Sequence, residues 1–305
     1  MACDFLLLIV FVWSILCGPT LGWGDVGHRT VAYLAEQYLN EQAKGLLNDL
    51  LPRTQDFDIS DAAVWADELR HSERPSTAVW HYVDVKDDPL GNHCNISPLP
   101  SNCEEKGCII TAMDKMTDQM HDDSSNQTEA VMFLIHFFGD IHMPLHVEDY
   151  RKGGNLINVT FDGRRGNLHG IWDTDMPHKI NGIGHVIKHN DEKSASLKWA
   201  MHLFQMNEHR PTTAVECSDI TKPDVCVKEW AKETNHLNCA VVFSKGLPYI
   251  EDEDLGGEYY DDAAPVIAEQ IYKAGVRLAA WINALAEQRH DKPALVVQGD
   301  RMRDL

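Results

Sequence analysis

Phe133-Leu134-Ile135-His136-Phe137-Phe138-Gly139-Asp140 is the stretch on which the reading of this chain turns. It belongs to a strongly apolar segment that opens at Thr128 and runs through Phe138, and a helix apolar on every side belongs in the middle of a protein. Yet this one carries an imidazole and a carboxylate four residues apart, on a single helical face. Burying an ionised carboxylate there is costly unless something compensates it. A metal ion is one compensation; a His/Asp hydrogen bond is the other. His146 follows in Met143-Pro144-Leu145-His146, where Pro144 ends the helix and turns the chain back.

Helical periodicity extends outward on both sides. Val31, Leu34, Tyr38, Leu39, Leu46, Leu47 and Leu50 recur at steps of three and four before Pro52. A second helix is expected from Ser60 as its cap, and a third over Cys108 to Met120 with Ile109, Met113, Met116 and Met120 on one stripe. Further helices are expected near Asn167 to Asp175, Ala195 to Met206, Pro223 to Asn235 and Ala263 to Glu287. Only Trp80 to Val85 and Leu156 to Phe161 alternate like strands. The acidic, Tyr-rich stretch Glu251 to Asp262 reads as a solvated loop. No linker and no repeat divides the chain, so a mainly α, single-domain fold with few short strands is expected.

The 305 residues are 44% hydrophobic, enough for a full core, which excludes a disordered or collagenous protein. With 27 Lys plus Arg against 47 Asp plus Glu, the formal charge is −20, the wrong sign for a broad basic surface that grips nucleic acid. Any phosphate handled here needs cations from elsewhere. The 16 His make metal the first hypothesis, since imidazole is the commonest transition-metal ligand.

Phe5 to Cys17 form an apolar run followed by Gly18-Pro19-Thr20-Leu21-Gly22, with small residues one and three positions before Trp23. This reads as a signal peptide, residues 1–22, although Asp4 stands where a basic residue is usual. A membrane anchor competes, but the run is shorter than the roughly 20 residues a span needs. Six Cys remain after it, an even number that suggests disulfides and allows many connectivities. Cys103/Cys108 and Cys217/Cys226 make plausible local loops, which leaves Cys94 for Cys239. No C-x-x-C pair exists to suggest a zinc finger. Asn95-Ile-Ser, Asn126-Gln-Thr and Asn158-Val-Thr are acceptor sequons, as in an exported glycoprotein. The tail, 288–305, is polar and is expected to be loose or trimmed after export.

His136/Asp140 and His169/Asp173 both have the His-x-x-x-Asp spacing, but with 16 His a few such pairs arise by chance. Trp65-Ala66-Asp67 places an acid on a core-like helix, and in Trp80-His81-Tyr82-Val83-Asp84 alternation puts His81, Val83 and Val85 on one face. Each of these is ordinary taken singly. Cleavage before Trp23, in Trp23-Gly24-Asp25-Val26-Gly27-His28, would free an α-amine beside a peptide carbonyl, which together can chelate an ion.

In order along the chain, Trp23-Gly-x-x-Gly-His28, Trp65-Ala-Asp67, His81, His136-x-x-x-Asp140, Pro-Leu-His146, Gly153-Gly154-Asn155 and Leu168-His169-x-x-Trp172-Asp173 resemble the secreted zinc-dependent nucleases of the S-one/P-one type, most closely the plant bifunctional endonucleases. The resemblance covers Trp23 to about residue 285 and implies a nuclease domain over 23–287 with a trinuclear zinc cleft in a mainly α fold. It implies that Asp67, His81, His136 and Asp140 hold one zinc; that Trp23, His28 and the shared Asp140 hold a second; and that His146, His169 and Asp173 hold the third. Asp67, Asp140 and Arg70 are the implied catalytic residues, with Arg70 for phosphate, Tyr82 as the stacking ring, and Asp84 and Asn155 for a base edge.

The activity so implied is hydrolysis of single-stranded DNA and RNA to 5′-phosphorylated products, with 3′-nucleotidase action on 3′-mononucleotides. Five imidazoles favour zinc over magnesium. No stable protein partner is implied, so a monomer is expected, exported through the secretory pathway and ending outside the cell or in the vacuole. The rivals are a secreted zinc-dependent phospholipase C and a non-catalytic extracellular metal-binding glycoprotein.

Overall fold

The computed structural model describes residues 23–96, 103, 105, 107–122, 124–185, 188–210 and 217–291. The expected leader, 1–22, and the part of the expected tail beyond 291 lie outside the described residues. The first helical period is broken into α1 (Asp25–Glu36) and α2 (Glu41–Leu50). Asn40 makes the break: its side chain accepts from Ala43 N at 2.8 Å, and its own N–H donates to Asn283 Oδ1 at 2.9 Å. Helix α3 (Ile59–His71) is capped by Asp58 rather than by the expected Ser60. Asp58 accepts from Ser60 N, and Asp61 returns a bond to Asp58 N, so the carboxylate pair satisfies the helix start and Ser60 is buried inside it.

A 3₁₀ turn, Pro75–His81, leads into an extended run in which Val83 and Val85 are buried. The alternation expected there is present, but the run joins no sheet. Its bonds go instead to the strap after His146: Val83 N donates to His146 O, and Asp149 N to Val85 O, each at 2.9 Å. Helices α4 (Ile109–His121) and α5 (Gln127–Asp140) follow, then a second 3₁₀ turn, Pro144–Val147. Strands β1 (Asn158–Phe161) and β2 (Arg164–Asn167) form an antiparallel hairpin with Asn158 opposite Asn167.

The chain continues through a short α6 (Leu168–Gly170), a π-helical segment Ile171–Asp175 and α7 (Met176–Ile180). Helix α8 (His189–Met206) precedes α9 (Pro223–Leu237), which runs into a second π segment, Asn238–Val242. Helices α10 (Leu247–Asp252) and α11 (Glu258–Asp291) complete the fold. The described chain is thus mainly α, with one two-stranded sheet. Every residue of α5 from Ala130 to Asp140 is buried, with α3, α4 and α11 packed around it. Helix α1 lies against α3, α8 and α11.

Two expectations are corrected. The Tyr-rich acidic stretch is not all loop: Glu258 to Asp262 form the start of α11, where acids suit the positive helix end. Tyr259 is core, its hydroxyl accepting from Trp172 Nε1 and donating to Val242 O, both at 2.9 Å. The last helix also ends at Asp291 rather than Glu287, and Arg289 donates to Gln127 of α5 at 3.1 Å. The disulfides are Cys94–Cys239, Cys103–Cys108 and Cys217–Cys226, as expected, and fit an oxidising compartment. Among the described residues no helix is long and apolar enough to cross a membrane.

Helices α9 and α11 are joined by an ionic knot in which Glu233 meets Lys273 and, at 2.6 Å, Arg277. Burial acts to raise the Glu233 pKa, but the two cations outweigh it and bring it down to about 2. The depressed native pKa adds stability above the unfolded-state pKa of about 4.3, and that stability is lost as pH falls through about 2. Glu233→Gln is therefore expected to unfold more easily in urea at pH 7, by about 1 kcal/mol for a partly exposed, screened pair. The gap to wild type should close toward pH 2, which urea titrations at several pH values will read.

Candidate metal centre and cleft

The C-terminal turn of α5 delivers His136 and Asp140, fully buried, to one point; α3 brings Asp67, the 3₁₀ turn brings His81 and α1 brings His28. His81 Nδ1 lies 3.0 Å from both His136 Nε2 and Asp140 Oδ2, and His136 Nε2 lies 3.0 Å from the same oxygen. Asp67 Oδ1 stands 3.5 Å from His81 and 3.7 Å from His136. His28 Nε2 reaches Asp140 Oδ1 at 3.3 Å, and the His28 ring stacks on His136 with centroids 3.9 Å apart. A third set lies beyond the turn: His169 Nε2 is 3.0 Å from Asp173 Oδ2, with the His146 ring stacked on His169.

Ligand atoms of His28, His136 and Asp140, of Asp67, His81 and His136, and of His146, His169 and Asp173 lie within 4.8 Å of one another in each group. Zinc ligands held at roughly 2.0–2.1 Å in tetrahedral array stand about 3.3 Å apart, which the spacings around Asp140 match. The orientation of the rings fits as well. His136, His146 and His169 each turn Nδ1 to a backbone carbonyl, of Ala63 at 2.6 Å, His81 at 2.7 Å and Gly153 at 2.6 Å. That bond fixes the tautomer and leaves Nε2 with a lone pair for an ion. His28 Nδ1, His81 Nε2 and Asp173 Oδ1 are buried with no hydrogen-bond partner in the protein, a cost that cations held nearby would help to offset.

The charge states point the same way. Burial lowers the pKa of His28, that of His81 to about 4 and that of His146 to about 3, so these rings are neutral near pH 7. Burial opposes ionisation of Asp67 and Asp140, yet His136 foremost, helped by Arg70 at Asp67 and by His146 at Asp140, holds both below the ordinary carboxylate range. His136 and His169 differ: burial opposes their charge, but Asp140 and Asp67 lift His136 to about 8 and Asp173 raises His169, so without an ion these two rings hold the compensating protons that a bound cation would displace. Asp173 differs: burial lifts it to about 7.

The sites of the remaining sequence-expected residues are equally definite. Trp23 is buried against Gly27, where a Cβ would come within 2.7 Å of its own, and Gly24 N donates to Asp173 O at 2.7 Å, tying the start of α1 to the third group. Arg70 pairs with Asp67 at 2.8 Å and also lines a cleft of about 470 Å³ that it shares with Tyr82, Asp84, Asn155, His146 and His169. Arg70 is thus both ion-paired and a cleft residue.

Sequence reasoning missed part of this wall. Lys152 and Leu156 also face the cleft, as does Glu148, whose carboxyl is pushed up to about 8 by burial and by the neighbouring Asp87. An acid two residues past His146 in an extended strap was the available signal for Glu148. Lys152 belongs to a left-handed turn, Arg151-Lys152-Gly153-Gly154, with φ of 51°, 57°, 53° and 77°. Glycine is needed at 153, where a Cβ would lie 2.4 Å from Leu145 O; such strain is usually found where function demands it.

Converging His and Asp side chains at the base of a cleft with an arginine and a tyrosine on its wall define a metal-dependent hydrolase. The S1/P1 Nuclease family profile matches residues 23–287. The chain is 39% identical over 272 residues to nuclease P1 of Penicillium citrinum, covering 86% of this chain and 97% of that one. It is 34% identical over 281 residues to nuclease S1 of Aspergillus oryzae (88% and 93%) and 30% identical over 287 residues to endonuclease 4 of Arabidopsis thaliana (90% and 93%). The chain belongs to the S1/P1 nuclease family and is a nuclease enzyme, which sets aside the phospholipase C and non-catalytic glycoprotein readings.

Gly139 lies behind His28, and a Cβ there would meet His28 Nδ1 at 2.5 Å and Cε1 at 2.8 Å. Gly139→Ala is expected to displace His28 and to lower bound metal by at least one ion per chain. Metal analysis of the dialysed variant, with its helical circular dichroism intact, checks this.

Proposed function

We propose that this nuclease is zinc-dependent, holds three zinc ions and hydrolyses phosphodiester bonds of single-stranded DNA and RNA to 5′-phosphorylated products. The observation that carries the proposal is the crowding of His28, Asp67, His81 and His136 about the buried carboxylate of Asp140, with Arg70, paired to Asp67, reaching from this group to the cleft that it lines with His146 and His169. Asp67, His81, His136 and Asp140 would hold one ion; His28, Asp140 and the amine and carbonyl of Trp23 a second; His146, His169 and Asp173 the third. Five imidazoles among the donors favour zinc.

Bound zinc supplies positive charge for the phosphate oxygens and lowers the pKa of a water nucleophile. The protein's own groups do the rest. Arg70, aligned by Asp67, can grip a non-bridging phosphate oxygen. Tyr82 offers a ring on which a base stacks, with Asp84 and the amide of Asn155 beside it for the base edge. Stacking needs a base freed from its partner, which favours single strands, and no group here rejects a 2′-hydroxyl. A 3′-mononucleotide fits the same groups, consistent with 3′-nucleotidase activity.

The Trp23 assignment requires removal of 1–22 and hence export, ending outside the cell or in the vacuole; the disulfides support it. Asn95, Asn126 and Asn158 are all exposed and available for glycosylation. No partner is needed to complete the site, in keeping with a monomer.

The test compares the protein beginning at Trp23 with one carrying an extra residue before it. The first is expected to digest single-stranded DNA faster than duplex, and the second to lose zinc and rate together; equal zinc and rate in both would refute the terminal ligand. Tyr82→Ala is expected to raise KM for single strands about 10-fold, matching about 1–3 kcal/mol of stacking, with zinc content unchanged. Steady-state kinetics beside metal analysis will show it.

A further inference from the structure

The turn from Asp140 to His146 joins the group around Asp140 to the third group, and its far side is held by buried side chains that touch no candidate ligand atom in any described contact. Asn238 Nδ2 donates to Pro144 O at 2.8 Å and Asn235 Nδ2 to Val147 O at 2.9 Å. Gln270 Nε2 donates to His142 O at 3.0 Å. Arg277 Nη1 donates to His142 Nε2 at 2.8 Å, while His142 Nδ1 donates to Phe138 O at 2.7 Å. All five donors are at least 96% buried.

Asn235 and Asn238 are three residues apart at the end of α9, so both amides face one side. Asn238 opens the π segment, a rare distortion found mostly where function needs a side chain re-aimed, and Cys239 beside it is anchored to Cys94. Asn235 also donates to Asp87 Oδ2 at 3.0 Å, on the segment that carries Tyr82 and Asp84.

We infer that Asn238, seconded by Asn235, is a positioning residue: by fixing the Pro144 and Val147 carbonyls on either side of His146, it sets how far His146 stands from Asp140. The inference rests on the proposed metal centre. Free carbonyls in this turn could relax toward other donors, and His146 would move with them, whereas Asp140 is held within α5. The loss should therefore fall on the His146, His169 and Asp173 group alone.

The test is stepwise removal of zinc by a competing chelator from mature Asn238→Leu and Asn238→Ser. Asn283→Ala serves as control, since Asn283 donates to Tyr38 O in the link between α1 and α2 and lies on no part of this turn. In Asn238→Leu one of the three ions is expected to leave at least 10-fold more easily while two are retained as in wild type. Asn238→Ser, which keeps a donor, should fall between them. Asn283→Ala should lower thermal stability without loosening any single ion. The positioning role is overturned if Asn238→Leu and Asn238→Ser keep all ions or lose them together, or if Asn283→Ala matches them. Wild-type protein that binds no zinc tightly would instead overturn the metal reading and this inference with it.

Discussion

The carboxylate of Asp140 is fully buried at the end of α5, a helix buried on every side from Ala130 onward, and the rest of the site exists in answer to it. A lone carboxylate cannot be held there as an anion without compensation. Three imidazoles approach it within 3.3 Å, and a second carboxylate, Asp67, stands beyond them. Protons can share this charge only by making a buried imidazole cationic, as Asp140 and Asp67 do to His136 against its burial, while burial keeps His28 and His81 neutral. Cations shared through Asp140 neutralise the same carboxylates and leave the rings neutral.

A centre of this kind works only if its ligands are held before the ions arrive. The backbone does much of this here. Three carbonyls, of Ala63, His81 and Gly153, each orient one ring, and the left-handed turn at 151–154 exists in part to bring the last of them into place. Glycine at 139 and 153 lets helix and loop backbone approach the rings more closely than a side chain allows. Contacts from α9 and α11 hold these elements from behind: Gln270 bonds the His142 carbonyl, and Arg277 ties the two helices through Glu233.

The helical class was legible in the sequence because the apolar period of 3.6 is strong; the His and Asp residues that converge were legible only through their order along the chain, which resembles a known family, since each short motif is ordinary taken singly. What escaped was tertiary in origin. Asp58 displaced Ser60 as a cap because Asp61 could return its bond, a choice between adjacent polar residues that periodicity does not make. Tyr259 reads as surface beside its acidic neighbours, and only its contacts with Trp172 and Val242 make it core. The 82–85 run alternates like a strand but pairs with the strap after His146, which no local pattern announces. Asn235 and Asn238 look like unremarkable polar residues at a helix end until the turn they face is known.

Everything in the proposed site turns on cations sharing Asp140. Crystals of the mature protein, prepared without chelator and measured on both sides of the zinc absorption edge, test it directly. Three anomalous peaks are expected, two of them flanking Asp140 and one among His146, His169 and Asp173. Absence of any peak beside Asp140, with the imidazoles bonded only to the carboxylates, would contradict the account.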